Sequence, residues 1–246
     1  MMGQIKAVLF DVGGPLDTET LMDAAIDEQI KISFRNRGFD VTDTKYAAVA
    51  QWAVDVYAPK TYQAIIWQLT DHDLNLSHEI EDELYETVPE RNAERGNFEL
   101  RPGITELLEE LSSAGLKLGL AANQPRESLD NMENVGILKY FEYREVSGTN
   151  RLRKPDPRLM LHSCAALGVQ PTEAIMIGDR LDNDIVPARS LGMLTIRLRT
   201  GRHAKQQPRT WLETPHADVT TVDALQKTIL KFVESPPLAL GDESPE

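Results

Sequence analysis

Ala7-Val8-Leu9-Phe10 is an unbroken apolar run that stops at Asp11, and Gly13-Gly14-Pro15 follows almost at once. A short continuous apolar run closed by turn residues predicts a strand buried on both faces, which belongs in a parallel sheet. Parallel strands need long crossover connections, so this one stretch already demands an α/β chain. The glycines and proline force a sharp turn. Asp11 is thereby placed at the carboxyl end of a buried strand, where open α/β sheets bind their ligands. It is a candidate nucleophile.

The rest of the chain supplies the crossovers, but not at once. From about Thr20 to Glu94 the reading is almost entirely helical. Tyr62, Ile65, Ile66 and Leu69 share one helical face, and Val49, Trp52, Ala53, Val56 and Tyr57 do the same one helix earlier. Alternation of strand and helix resumes at Arg101-Pro102-Gly103. Strands are expected at Leu116–Ala122, Tyr143–Val146, Ala174–Ile177 and Met193–Leu198, with an edge strand at Ala217–Thr220. Asp156 and Pro157 suit the start of a helix. The expected fold is α/β: a Rossmann-like, doubly wound parallel sheet with an inserted all-helical cap domain. Its parts are a core of residues 1–17 and 98–233, a cap of residues 18–97, and a disordered tail of residues 234–246 rich in Pro, Glu and Ser.

Charge narrows the partners. Lys and Arg total 26 against 39 Asp and Glu, a net charge of −13. Such a surface repels nucleic-acid backbones and anionic lipid, so neither nucleic acid nor membrane is an expected partner. No apolar stretch is long enough to span a bilayer, and no signal segment precedes the first strand. The one cysteine, Cys164, suits a reducing compartment, and a cytoplasmic location is expected. Any anionic substrate must be held by a local cation.

The expected strands supply such a place. Three of them end in a polar residue, Asp11, Asn123 and Asp179, and Lys154 lies in the loop after a fourth. If these strands are neighbours, all four residues meet at one edge of the sheet. Asp11 and Asp179 offer hard oxygen ligands to Mg²⁺. Metal and lysine together would neutralise a phosphoryl group, and Asp11 could attack phosphorus to form an aspartyl phosphate. Asp182 and Asp184 follow on the same turn. Asp182 is read first as a helix N-cap, with a role toward metal-bound water as the rival reading.

These motifs resemble those of the haloacid dehalogenase superfamily of hydrolases, in the branch with a helical cap after the first motif. FDVGGPL is similar to the family's first motif, GLAAN to the second, KPDP to the third and MIGDRLDNDIVPARSLGM to the fourth. The resemblance covers nearly everything from Ile5 to Val233. It implies Asp11 as nucleophile and metal ligand, a backbone carbonyl at Gly13 toward the metal, and Asn123 in the phosphate-binding loop. It further implies Lys154 as the charge-balancing group and Asp179 and Asp184 as the acids of the Mg²⁺ site. The implied activity is Mg²⁺-dependent hydrolysis of a small phosphorylated metabolite, with the site lying between core and cap.

Two positions depart from that pattern. The family's phosphatases carry a second aspartate two residues after the nucleophile, as general acid and base; here that position is Gly13. A positioned acid is typically worth about 10²–10⁴-fold in rate. Ala122 stands where the second motif has a hydroxyl residue. Alternatives follow: a low-activity or non-catalytic relative that binds a phosphorylated ligand or a protein, or chemistry of the dehalogenase or phosphonatase type. A phosphonatase would need a cap lysine, for which Lys31, Lys45 and Lys60 are the candidates. Trp52, Trp67, Tyr57 and Tyr62 are read as cap core. The five histidines show no ligand spacing.

Overall fold

The computed structural model of the chain describes residues 4–95 and 98–237. Among these, two compact units separate: one built from the residues up to Thr18 and from Leu100 onward, the other from Glu19–Glu99.

The first unit begins with β1 (Ala7–Phe10), all four residues of which are buried. After the second unit come α5 (Ile104–Ser113), β2 (Lys117–Leu120), α6 (Glu127–Asn134), a single turn α7 (Ser147–Asn150) and α8 (Arg158–Leu167). Then follow β3 (Ala174–Gly178), a π-helical turn Leu181–Ile185, α9 (Val186–Ser190), β4 (Leu194–Leu198), β5 (Ala217–Val219) and α10 (Val222–Glu234). The strands form one sheet in the order β2-β1-β3-β4-β5. Every pairing is parallel, with Phe10 opposite both Leu120 and Ile177, and Gly178 opposite Arg197. The chain leaves β1 for β2 on one side and returns to β3 on the other, so the two helix layers part beside β1. Leu9, Met176, Met160, Leu167 and Met193 share the core on one face.

Several expected features differ. Tyr143–Val146 is not a strand. Tyr143 makes a single bridge to Gly119, and the Val146 N–H donates to Thr149 Oγ1 at 3.0 Å, a donor that a ladder would need. Helix α8 starts at Arg158, whose N–H is capped by Asp156 Oδ1 at 3.0 Å across Pro157. Of the expected disordered tail, α10 runs through Glu234, and residues 238–246 lie outside the described residues.

The second unit holds α1 (Thr20–Asn36), α2 (Asp43–Asp55), α3 (Thr61–Leu69) and α4 (Leu74–Arg95). Thr42 caps α2 through Lys45 N, and Asp73 Oδ1 caps α4 through Asn75 N and Leu76 N at 3.0 and 3.1 Å. Ile30, Phe34, Tyr46, Ala53, Ile65, Ile66 and Ile80 form its core. Trp52 and Trp67 were expected in that core but are 36% and 37% exposed. Ala53 and Ile66, next to them in sequence, take the buried positions.

Candidate active site

The turn after β1 is built by main-chain bonds. Asp11 N–H continues the ladder to Ile177 O at 2.9 Å, and Leu16 and Asp17 N–H both return to Val12 O. Gly14 has φ +81°, the left-handed region that favours glycine. Arg101 Nε secures its carbonyl at 2.7 Å.

Strand β3 ends on the same sheet edge, one strand over, and the chain passes through Asp179 into the π turn. That turn directs Asp184 back over the strand end. Its carboxylate is completely buried, and Oδ2 accepts from Asp179 N–H at 3.1 Å and Arg180 N–H at 2.9 Å. Gly178 makes this possible, because any side chain there would collide with the Asp184 carboxylate.

Lys154 comes from the loop before α8. Its buried ammonium reaches Asp184 Oδ1 at 2.6 Å and Asp11 Oδ2 at 2.9 Å. Asn123, just after β2, brackets its main chain: Nδ2 donates to Lys154 O at 2.8 Å, and Lys154 N–H donates to Asn123 Oδ1 at 2.8 Å. A further clasp runs from Ser147 N–H to Ala122 O and from Gly148 N–H to Gln124 O.

Carboxylate oxygens of Asp11, Asp179 and Asp184 lie within 4.8 Å of one another. Two buried acids and the partly buried Asp11 thus share one lysine, which pairs with Asp11 and Asp184. Burial pushes the Asp11 carboxyl up to about 6, against the pull of Lys154 and with the Asp184 charge adding to the rise. Burial alone would lower Lys154, but the carboxylates of Asp11 and Asp184 hold its pKa above the ordinary lysine value. The ammonium therefore stays charged, and the cluster as a whole is short of positive charge. An oxygen-rich, negatively charged set of this kind suits a hard divalent cation.

Asp11, Lys154, Asp179 and Asp184 accordingly converge, and Asn123 touches the cluster through the Lys154 main chain. Asp182 does not join them. It pairs with Arg180 through two bonds, Nη2–Oδ2 at 2.6 Å and Nε–Oδ1 at 3.1 Å. Lys31 is committed to Asp43 at 2.9 Å, which holds its pKa above the ordinary value. Such an ammonium is a poor imine former. Burial lifts the Cys164 thiol to about 11, which leaves it inert. Sequence reasoning passed over Arg197, completely buried in β4. The available signal was the one charged residue of that strand, whose other residues are Leu, Thr and Ile.

No helix among the described residues is long and apolar enough to cross a membrane. A stretch of the chain is 31% identical over 119 residues to a glyceraldehyde 3-phosphate phosphatase of Methanopyrus kandleri, covering 48% of this chain and 51% of that protein. The chain spans about half the length of the first curated relatives it matches. A phosphoglycolate phosphatase of Vibrio vulnificus is 28% identical over 207 residues, 80% of this chain and 85% of that protein. In three dimensions the chain is similar to the crystal structure of a HAD phosphatase from Thermococcus onnurineus. The TM-score is 0.61 at 26% identity, over 92% of this chain and 98% of that one. The family model of the haloacid dehalogenase-like hydrolases matches residues 5–192, which carry β1 and the turn after Asp11, the lysine loop and the acid turn, and the chain belongs to that family.

Proposed function

We propose that this protein is a Mg²⁺-dependent phosphohydrolase acting on small phosphorylated metabolites, with Asp11 as its nucleophile. The observation that carries the reading is the convergence of Asp11, Lys154, Asp179 and Asp184 from distant parts of the chain onto one sheet edge. The phosphatase names of the relatives, on glyceraldehyde 3-phosphate and phosphoglycolate, support the substrate class.

The donor set fits the metal, since Asp11 and Asp179 bring carboxylate oxygens and the buried negative charge exceeds what Lys154 neutralises. Asp11, Asp179 and the Gly13 carbonyl would hold it, with Asp184 behind them. When bound, Mg²⁺ supplies charge neutralisation to the phosphoryl oxygens.

The chain's own residues do the rest. Lys154, held in place by Asn123, pairs with a phosphoryl oxygen and keeps Asp11 ionised. An Asp11 oxygen attacks phosphorus in line. The new P–O bond forms as the bond to the leaving alkoxide breaks, and the alkoxide takes its proton from water. The hydroxide left by that water then attacks phosphorus and breaks its bond to Asp11, releasing inorganic phosphate and returning the Asp11 carboxylate.

A second reading is favoured by one position. Gly13 offers no side chain to protonate the leaving oxygen, which suits a slow enzyme or a protein that binds its phosphorylated ligand without turnover. A phosphate-release screen over small phosphate esters, with Mg²⁺ and with EDTA, separates the readings. Mg²⁺-dependent turnover that is lost in Asp11→Asn supports hydrolysis. Turnover that survives EDTA counts against the metal. Saturable ligand binding with no phosphate released supports the second reading.

A further inference from the structure

Arg197 lies in β4, a strand whose five residues are all buried, and heads the fully buried side chains by volume. A guanidinium there must be fully satisfied. Its fork meets three carbonyls: Nε donates to Asp179 O at 3.0 Å, Nη1 to Gln206 O at 2.9 Å and Nη2 to His203 O at 2.6 Å. The countercharge is Asp218 on β5, with Oδ2 3.7 Å from Nη1. Gly178, Arg197 and Asp218 are register partners across β3, β4 and β5. A line of contacts therefore runs from the outer strand of the sheet to the main chain of the acid that faces Asp11.

We propose that Arg197 is a positioning residue for Asp179 and that it sets the protein's affinity for Mg²⁺. The inference rests on the reading of Asp179 as a metal ligand. Asp179 stands one residue beyond β3, where the ladder has ended. Its N–H is held by Asp184 Oδ2 at 3.1 Å and its C=O by Arg197 Nε at 3.0 Å. With both main-chain groups pinned, only the two side-chain torsions remain to aim the carboxylate. Removing Arg197 frees the peptide that follows Asp179, and the carboxylate then spends part of its time away from Asp11. A rival, merely structural role exists, because the other two carbonyls belong to the 203–206 segment. In that case loss of Arg197 would loosen the segment and lower stability while metal binding stayed unchanged.

The test measures Mn²⁺ binding by electron paramagnetic resonance, with Mg²⁺ as competitor, in the full-length wild type, R197M, R197K and D179N. Circular dichroism and thermal unfolding in EDTA report the fold of each. D179N is expected to lose the site. R197M, if folded, is expected to bind about 10–100-fold more weakly, the usual cost of losing a group that orients a metal ligand. R197K keeps the charge but loses the fork, and its affinity should fall between R197M and wild type. Folded R197M and R197K that bind as wild type while D179N does not would overturn the proposal. Wild-type binding by D179N would instead remove Asp179 from the metal site, and the inference with it. Should R197M fail to fold, R197K decides by the same comparison.

Discussion

A Cβ on Gly14 would lie 2.7 Å from Cγ of Asp179 and 2.9 Å from its Cβ. The turn after Asp11 and the acid after β3 are therefore in contact at the distance that only glycine permits. Gly14 also sits at φ +81°, where an L side chain is strained. Gly14→Ala combines both costs and is expected to lower stability by about 1–3 kcal/mol. It should also weaken Mg²⁺ binding, since relief of the clash pushes Asp179 away from Asp11. Denaturant unfolding in EDTA and a metal titration check the two effects separately. An unchanged unfolding midpoint would show that the turn relaxes at no cost.

Lys154 neutralises Asp11 and Asp184 together, at 2.9 and 2.6 Å. Lys154→Met leaves both acids buried with less countercharge, a change that costs about 3–5 kcal/mol when a buried pair is broken. The sign of its pH dependence follows from Asp11. Its carboxyl is already raised to about 6 in the folded protein, and loss of the lysine raises it further. A carboxyl with a raised folded pKa binds more protons folded than unfolded, so stability recovers as pH falls through that pKa. The Lys154→Met deficit should accordingly be largest above pH about 7 and shrink toward pH about 5. Unfolding curves at several pH values without Mg²⁺ measure it. A deficit that does not change with pH would mean that packing, not charge, is what the lysine supplies.

How far the sequence leads is uneven, and the reasons are physical. Asp11 and Asp179 were readable because each stops an apolar run, and in a parallel sheet that places both at the same edge. The Asn123–Lys154 clasp was not, since it joins residues 31 positions apart through main-chain atoms that no side-chain pattern reports. Tyr143–Val146 looked like a strand by composition, yet one Thr149 hydroxyl captures the N–H the ladder needed. Periodicity placed Trp52 on an apolar helix face, and Trp67 was read as core beside another, without saying how much volume the core could take. Arg197 showed as the one charge in a strand of Leu, Thr and Ile, but its three carbonyl partners come from the fold alone.

His216 carries a pH signature of opposite sign. Its Nδ1 accepts the Thr195 N–H at 3.1 Å, so the ring is neutral with its proton on Nε2. Burial and the Arg189 charge push its pKa down to about 4. Folded below its unfolded value, it contributes stability above pH about 6.5 that is lost as pH falls toward 4. A glutamine can keep the acceptor without titrating. The stability advantage of wild type over His216→Gln should therefore shrink by about 1–2 kcal/mol between pH about 7 and 5. Parallel denaturant titrations at the two pH values decide it, and a constant difference would place the titration elsewhere.

Gly13 is the position where fold and chemistry part. The Gly13 main chain bridges to Asp17, so the turn is formed without any side chain at this residue. What is missing is a proton donor two residues from Asp11. If that absence limits turnover, its cost depends on the leaving group. Alkyl phosphates, whose alkoxides need protonation, should be slow, and aryl or acyl phosphates, whose leaving groups depart unprotonated, comparatively fast. Gly13→Asp should then raise alkyl phosphate hydrolysis by about 10²-fold or more and leave aryl phosphates little changed. Rates on a series of esters of graded leaving-group pKa, for both proteins, give the two slopes directly. A flatter dependence in Gly13→Asp identifies the supplied acid, because protonation removes the penalty for a basic leaving group. Equal slopes in a folded Gly13→Asp would mean that the leaving oxygen obtains its proton from another source, and that the missing side chain at Gly13 does not limit the rate.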